Sequence, residues 1–114
     1  MFVKNILIVG ASSGIGRQLA TQLDKTQYNV WGTYNNTTPA ADIEHVEFTP
    51  LDVLGENHTF KHLPYTLHGL VYCPGSILLK PFERIRPDDF LNDYHLNVVG
   101  AVKVLQMLLP KLKA

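Results

Sequence analysis

The residues best placed by type and spacing to do chemistry are Gly10-Ala11-Ser12-Ser13-Gly14-Ile15-Gly16, which follow a buried-looking apolar run and precede a helical pattern. A glycine at the end of such a run lets the chain turn sharply. Later glycines let backbone approach a bound pyrophosphate and let a helix pack close to a sheet. The first turn of the helix then offers unpaired N–H groups and a partial positive charge to phosphate. Ser12 and Ser13 add hydroxyl donors. No Gly-Lys-Ser/Thr closes the loop, so it is not the phosphate loop of kinases and ATPases.

Other reactive residues are sparse. The lone cysteine, Cys73, excludes an internal disulfide and a CxxC metal clamp. It has no neighbouring histidine or cation to activate it, which makes it a small packing residue rather than a nucleophile. The histidines are His45, His58, His62, His68 and His95, and only His58 and His62 stand four apart as two ligands on one helix face would. No Glu completes a zinc-protease pattern, so a solvated face is the reading and no metal is expected.

The elements that must hold the glycine loop follow from periodicity. Val3 to Val9, Tyr28 to Thr33, Val46 to Leu51 and Leu67 to Cys73 are short runs of apolar, aromatic and β-branched residues, as in strands buried on both faces. Gly14 to about Lys25 places Ile15, Leu19, Ala20 and Leu23 at helical spacing. A long helix runs through Phe90, Tyr94, Val98, Val102, Leu105 and Leu109, capped by Asp88 or Asp89 with Pro87 beside its first turn. A brief helix is expected over 55–62, and a turn or one short helical turn over 34–45. Strands alternating with helices predict a parallel sheet covered on both faces, a doubly wound α/β unit.

Composition agrees with one soluble domain. Of 114 residues, 46% are hydrophobic and 18% charged, and ten basic side chains balance ten acidic ones. A neutral, scattered charge distribution disfavours nucleic acid and anionic membranes as partners. Neither apolar stretch, Ile6 to Val9 or Leu96 to Leu109, has the length of a bilayer span, and the first has no cleavage site after it. A cytoplasmic location is expected.

The spacing Gly-x-x-x-Gly-x-Gly of Gly10, Gly14 and Gly16 resembles the signature of the short-chain dehydrogenase/reductase family, and further landmarks extend the resemblance over essentially the whole chain. Leu51-Asp52-Val53 resembles the segment whose aspartate contacts the adenine amino group; the plainer alternative for Asp52 is a turn cap. Tyr72-Cys73-Pro74-Gly75 stands where the family has Asn-Asn-Ala-Gly beneath the cofactor. Pro81-Phe82-Glu83 and Phe90 match the approach to the next helix, and Leu109-Pro110 matches its end. Leu96-Asn97-Val98-Val99-Gly100 matches the helix that carries the family's structural and catalytic asparagine. The resemblance assigns Asn97 that role, a water-bridged link to a catalytic lysine from a kinked backbone. The plainer alternative is a core asparagine with satisfied hydrogen bonds.

The resemblance implies a Rossmann-like doubly wound sheet, here of about four strands in the order 3-2-1-4, and an NAD(P)-dependent oxidoreductase with Gly10, Ser12, Ser13, Gly14, Ile15, Gly16, Leu51, Asp52, Val53, Cys73, Pro74 and Gly75 around the cofactor. Two departures stand out. Pro74 has no N–H to donate where the family has alanine. After the second strand, Thr33-Tyr34-Asn35-Asn36-Thr37-Thr38 offers hydroxyls and amides but no acid to bind a free ribose 2′-hydroxyl. That favours NADP(H) over NAD(H), with Thr33, Tyr34 and Asn35 nearest the strand. Arg17 either adds positive charge there or faces solvent.

In the family a tyrosine, and a lysine four residues later, carry out proton transfer. Here Tyr28, Tyr34, Tyr65, Tyr72 and Tyr94 are followed at that spacing by Gly32, Thr38, Gly69, Ser76 and Val98. The expectation is therefore a cofactor-binding domain over 1–114, incomplete at its C-terminus and inactive alone. A homo-oligomer, or pairing with the catalytic half, would cover its open strand edge. The alternatives are a complete dinucleotide-binding or redox-sensing module and a degenerate relic. The substrate, a carbonyl or alcohol in the family, is not specified by these residues.

Overall fold

A computed structural model describes residues 3–35, 39, 45–55, 60, 63–74 and 80–113. Strand β1 spans Lys4–Val9, helix α1 Gly14–Gln22, β2 Tyr28–Tyr34, β3 Val46–Pro50 and β4 Gly69–Tyr72. After a 3₁₀ turn at Phe82–Arg84 come α2, Pro87–Tyr94, a π-helical turn, His95–Val99, and α3, Gly100–Lys113. All pairings are parallel, as the alternating pattern predicted, and the sheet order is β3-β2-β1-β4, the order that the family resemblance implied. Among the described residues β3 and β4 are its two edges.

β1 explains why both faces are covered. Its side chains alternate, so Leu7 and Val9 enter one core while Ile6 and Ile8 enter the other. The first core is closed by Val104 and Leu108 of α3, with Leu51, Val53 and Leu67. The second is closed by Ala20, with Leu19 and Leu23 packed on it, against Val30 and Val46. Each fully buried aliphatic side chain stabilises the fold by roughly 1.5–3 kcal/mol. The two layers therefore hold β1, and the loop at its C-terminal end, from opposite sides.

Four local expectations need correction. Ile15 is 81% exposed and belongs to neither core, although its spacing placed it with Leu19 and Ala20. The long helix is interrupted: α2 and α3 are joined through the widened turn at His95–Val99. Its N-cap is Arg86, and Asp89 acts from the third helical position, accepting a hydrogen bond from the Arg86 N–H at 2.9 Å. α3 also continues past Pro110 to Lys113, where the Lys111 carbonyl accepts from the Leu67 N–H at 3.1 Å and the Lys111 ammonium donates to the Pro64 carbonyl at 2.8 Å. These contacts tie the helix end to the start of β4. The expected helix over 55–62, and most of the connection over 34–45, lie outside the described residues.

Candidate active site

Parallel strands put all their C-terminal ends on one side, and in open α/β sheets ligands bind there. In this sheet those ends surround a cleft of about 500 Å³. Val9 and the glycine loop form its floor, from Gly10, Ser12 and Ser13 to Gly14, Ile15 and Gly16. Thr33, Tyr34 and Asn35 enter from β2, Leu51, Asp52, Val53 and Leu54 from beyond β3, and Cys73 and Pro74 from beyond β4. Leu96 completes the wall from the π-helical turn. Every described residue expected at a cofactor is thus at this cleft. Gly75 lies outside the described residues.

The loop is shaped by backbone conformation and close approach. Gly10 has φ 80° and Gly14 φ 59°, left-handed values that side chains with a β-carbon resist. A β-carbon on Gly16 would collide with the Gly10 carbonyl. The turn is then pinned to β2: the Gly10 N–H donates to Thr33 Oγ1 at 3.0 Å, and the Ala11 N–H donates to the Thr33 carbonyl at 2.8 Å. Thr33 is 2% exposed, so its side chain buttresses the loop from behind. On the other flank the Cys73 N–H donates to the Val9 carbonyl at 2.9 Å.

Ser13 is the N-cap of α1, and its side chain makes no capping bond. The first turn of α1 carries no acid, so the positive end of the helix dipole faces the cleft uncompensated by a carboxylate. Above Gly14 the space that a β-carbon would enter is empty to 4 Å. A cradle of backbone amides, serine hydroxyls and open room over a glycine suits a pyrophosphate. Ile15, standing out at the mouth, gives one apolar wall.

Asp52 is the one charged residue among the described residues that line the cleft. Its Oδ1 accepts from the Leu54 N–H at 3.0 Å and its carbonyl from the Gly55 N–H at 3.0 Å. The turn-capping role is therefore present, with Oδ2 as the carboxylate's second acceptor. Burial pushes the Cys73 thiol up, which keeps it protonated and unreactive. Asn97 lies one residue beyond Leu96 within the widened turn, and it is Leu96 that lines the cleft. Tyr94 and His95 are exposed and meet edge-to-face with ring centres 6.2 Å apart. Sequence reasoning did not single out Val9, Leu54 or Leu96, each adjacent in the chain to a residue it did.

A family model for short chain dehydrogenases matches residues 4–114. The chain belongs to the short-chain dehydrogenase family. A 3-amino-tetrahydro-pyrrolizinone reductase from Xenorhabdus hominickii is 28% identical over 116 residues, covering 94% of this chain and 41% of the reductase. Among solved structures, the Pseudomonas aeruginosa RhlG/NADP active-site complex superposes with a TM-score of 0.84 at 22% identity, over 97% of this chain and 48% of that one. A Burkholderia multivorans short-chain dehydrogenase/reductase with bound NADP has a TM-score of 0.80 at 21% identity, over 96% and 54%. At these identities the two structures speak for the fold. The chain spans about half the length of these relatives, or somewhat less.

Within the short-chain dehydrogenase fold, the segments present are those around the glycine loop and the first four strand ends. Among the described residues no group of three or more histidine, cysteine or acidic side chains could hold a metal ion. No described helix is long and apolar enough to cross a membrane.

Proposed function

We propose that this chain is the dinucleotide-binding half of a short-chain oxidoreductase that prefers NADP(H), and that by itself it binds cofactor without turning over substrate. The convergence of four strand ends on the N-terminus of α1, over the open room above Gly14, carries this reading. The backbone amides at Gly14, Ile15 and Gly16, with Ser12 and Ser13, hold the pyrophosphate. Oδ2 of Asp52, with the Leu51 and Val53 backbone beside it, receives the adenine amino group. Cys73 and Pro74 support the nicotinamide-side ribose, as does Gly75 in the family's pattern. Tyr34 and Asn35 receive the adenosine 2′-phosphate, because neither repels an anion. Thr33 serves indirectly, by holding the loop.

When bound, the dinucleotide supplies or accepts a hydride at its nicotinamide ring. Proton transfer needs the family's serine, tyrosine and lysine, and no tyrosine in this sequence has lysine four residues on. Asn97 is the residue this half contributes toward that machinery. A cytoplasmic homo-oligomer fits the exposed apolar residues of α2 and α3, including Phe90, Leu91, Val102 and Leu105. The edge of β4 is suited to a further strand from a catalytic half.

Titrating the purified chain with NADPH and with NADH, followed by nicotinamide fluorescence, tests the proposal. NADPH binding at least tenfold tighter than NADH, with no carbonyl reduction, is expected. Equal affinities would remove the NADP preference. No binding of either would remove the dinucleotide reading, and turnover by the isolated chain would overturn its inactivity. Intact mass and light scattering on the same sample report whether the species is a single chain, an oligomer or a larger polypeptide.

A further inference from the structure

We propose that Tyr72 is a positioning residue: its hydroxyl holds the widened helical turn His95–Val99 against the cleft, in a seat that only Gly100 leaves open. Its consequence for cofactor binding rests on the dinucleotide reading above; its structural part does not.

The acceptor is an unusual one. In an α-helix the Leu96 carbonyl would receive the Gly100 N–H, but in this turn that N–H donates to the His95 carbonyl one residue earlier. Leu96 has thus lost its ordinary helical donor. The Tyr72 hydroxyl takes that place, donating to the Leu96 carbonyl at 2.7 Å, the usual length of an O–H···O bond. Burial pushes the Tyr72 phenol up, so it stays protonated and able to donate.

The second observation is Gly100, which is buried. A β-carbon there would lie 2.5 Å from the Tyr72 hydroxyl oxygen and 3.3 Å from both the His95 carbonyl oxygen and Val53 Cγ2. Any larger residue would push the hydroxyl away from Leu96 or drive the helix off the sheet. Phenol, glycine and widened turn therefore form one unit.

Its position gives it a role. Tyr72 is the last residue of β4, paired with Val9, and the next residues, Cys73 and Pro74, line the cleft. Leu96 lines the facing wall, and Asn97 follows it. The bond between Tyr72 and Leu96 sets the separation of these walls and, with it, the placement of Asn97. Asparagine, which stands at this position in the family's pattern, has a shorter side chain. The Tyr72 phenol is long enough to bridge from strand to helix.

The test compares Tyr72→Phe, Gly100→Ala and the double variant by amide hydrogen exchange and NADPH titration. Tyr72→Phe keeps the ring and removes the bond, so exchange at 99–101 should accelerate roughly tenfold, as expected for one lost hydrogen bond, with α1 unchanged. Gly100→Ala should accelerate the same amides. In the double variant the methyl occupies the space the hydroxyl vacated, so Gly100→Ala should cost clearly less there than in the parent. NADPH affinity should weaken several-fold in Tyr72→Phe. Unchanged exchange at 99–101 in Tyr72→Phe, or strictly additive effects in the double variant, would overturn the strut. If the parent chain binds no NADPH, the dinucleotide reading fails while the exchange comparison still decides the strut. Altered exchange with unaltered NADPH affinity would remove its role at the cleft.

Discussion

The carbonyl oxygen of Gly10 occupies the place that a β-carbon on Gly16 would need. Six residues apart in sequence, the two glycines are pressed together because β1 must turn into α1 while both remain packed on the sheet. Gly14, between them, has the opposite surroundings: a left-handed backbone with empty space above it.

The contrast separates folding from binding. Gly16→Ala should lower stability by roughly 1–3 kcal/mol, the usual cost of overpacking, and shift Tm by several degrees or more. Gly14→Ala should cost only about 1–2 kcal/mol, for the left-handed backbone, yet place a methyl where the pyrophosphate is proposed to sit. Thermal melting beside NADPH titration distinguishes them. The account of the loop fails if Gly16→Ala melts like the parent.

Asn35 follows the last residue of β2 at the cleft and is exposed. Asn35→Asp should weaken NADPH binding at least tenfold, about 1.4 kcal/mol, by setting a carboxylate against the 2′-phosphate. NADH binding should hold or improve, because an acid can accept from both ribose hydroxyls. Equal losses for both cofactors would mean that Asn35 does not read the 2′-position.

Trp31 packs against the core beneath α3, and its Nε1 is buried with no hydrogen-bond partner among the described residues. A buried donor left unpaired costs about 1–3 kcal/mol. Trp31→Phe removes that donor at some loss of apolar contact, so stability should range from unchanged to roughly 2 kcal/mol higher. Chemical denaturation followed by circular dichroism gives the answer, and a clear loss of stability would mean that the lost packing outweighs the relief of the unpaired donor.

Asp89 starts α2. The Arg86 backbone N–H bonded to its carboxylate holds its pKa below the ordinary 3.8, and Lys80, at 3.6 Å, adds to this. A depressed carboxylate stabilises the fold above its unfolded value, and the contribution disappears as pH falls through the folded value. Melting the parent and Asp89→Ala from pH 7 to pH 2 should therefore show the two curves converging below about pH 4. A gap that persisted at pH 2 would assign the loss to something other than the carboxylate charge.

Much of this protein is written locally. Strand runs, helical spacing after Gly14 and the glycine pattern itself arise from the chemistry of neighbouring residues, because periodicity and backbone freedom are properties of short segments. They were sufficient for a parallel, doubly wound sheet and for the glycine loop at the cleft, while the strand order and the segments 51–53 and 73–74 came from the family resemblance.

Other features depended on what packing brings together. Ile15 has the spacing of a core residue, but α1 meets the sheet through Gly16 and Ala20, which turns Ile15 outward to the cleft. Thr33 looks like a ligand donor from sequence, and in the fold its hydroxyl also accepts the Gly10 amide N–H, a bond that no local pattern marks. Tyr72 and Leu96 are 24 residues apart, and nothing in the sequence around either marks the bond between them. Such pairings depend on the register of β4 beside β1 and on where α3 lands across the sheet. Those are decided by the summed burial of the Leu7 and Val9 core, which no short segment contains.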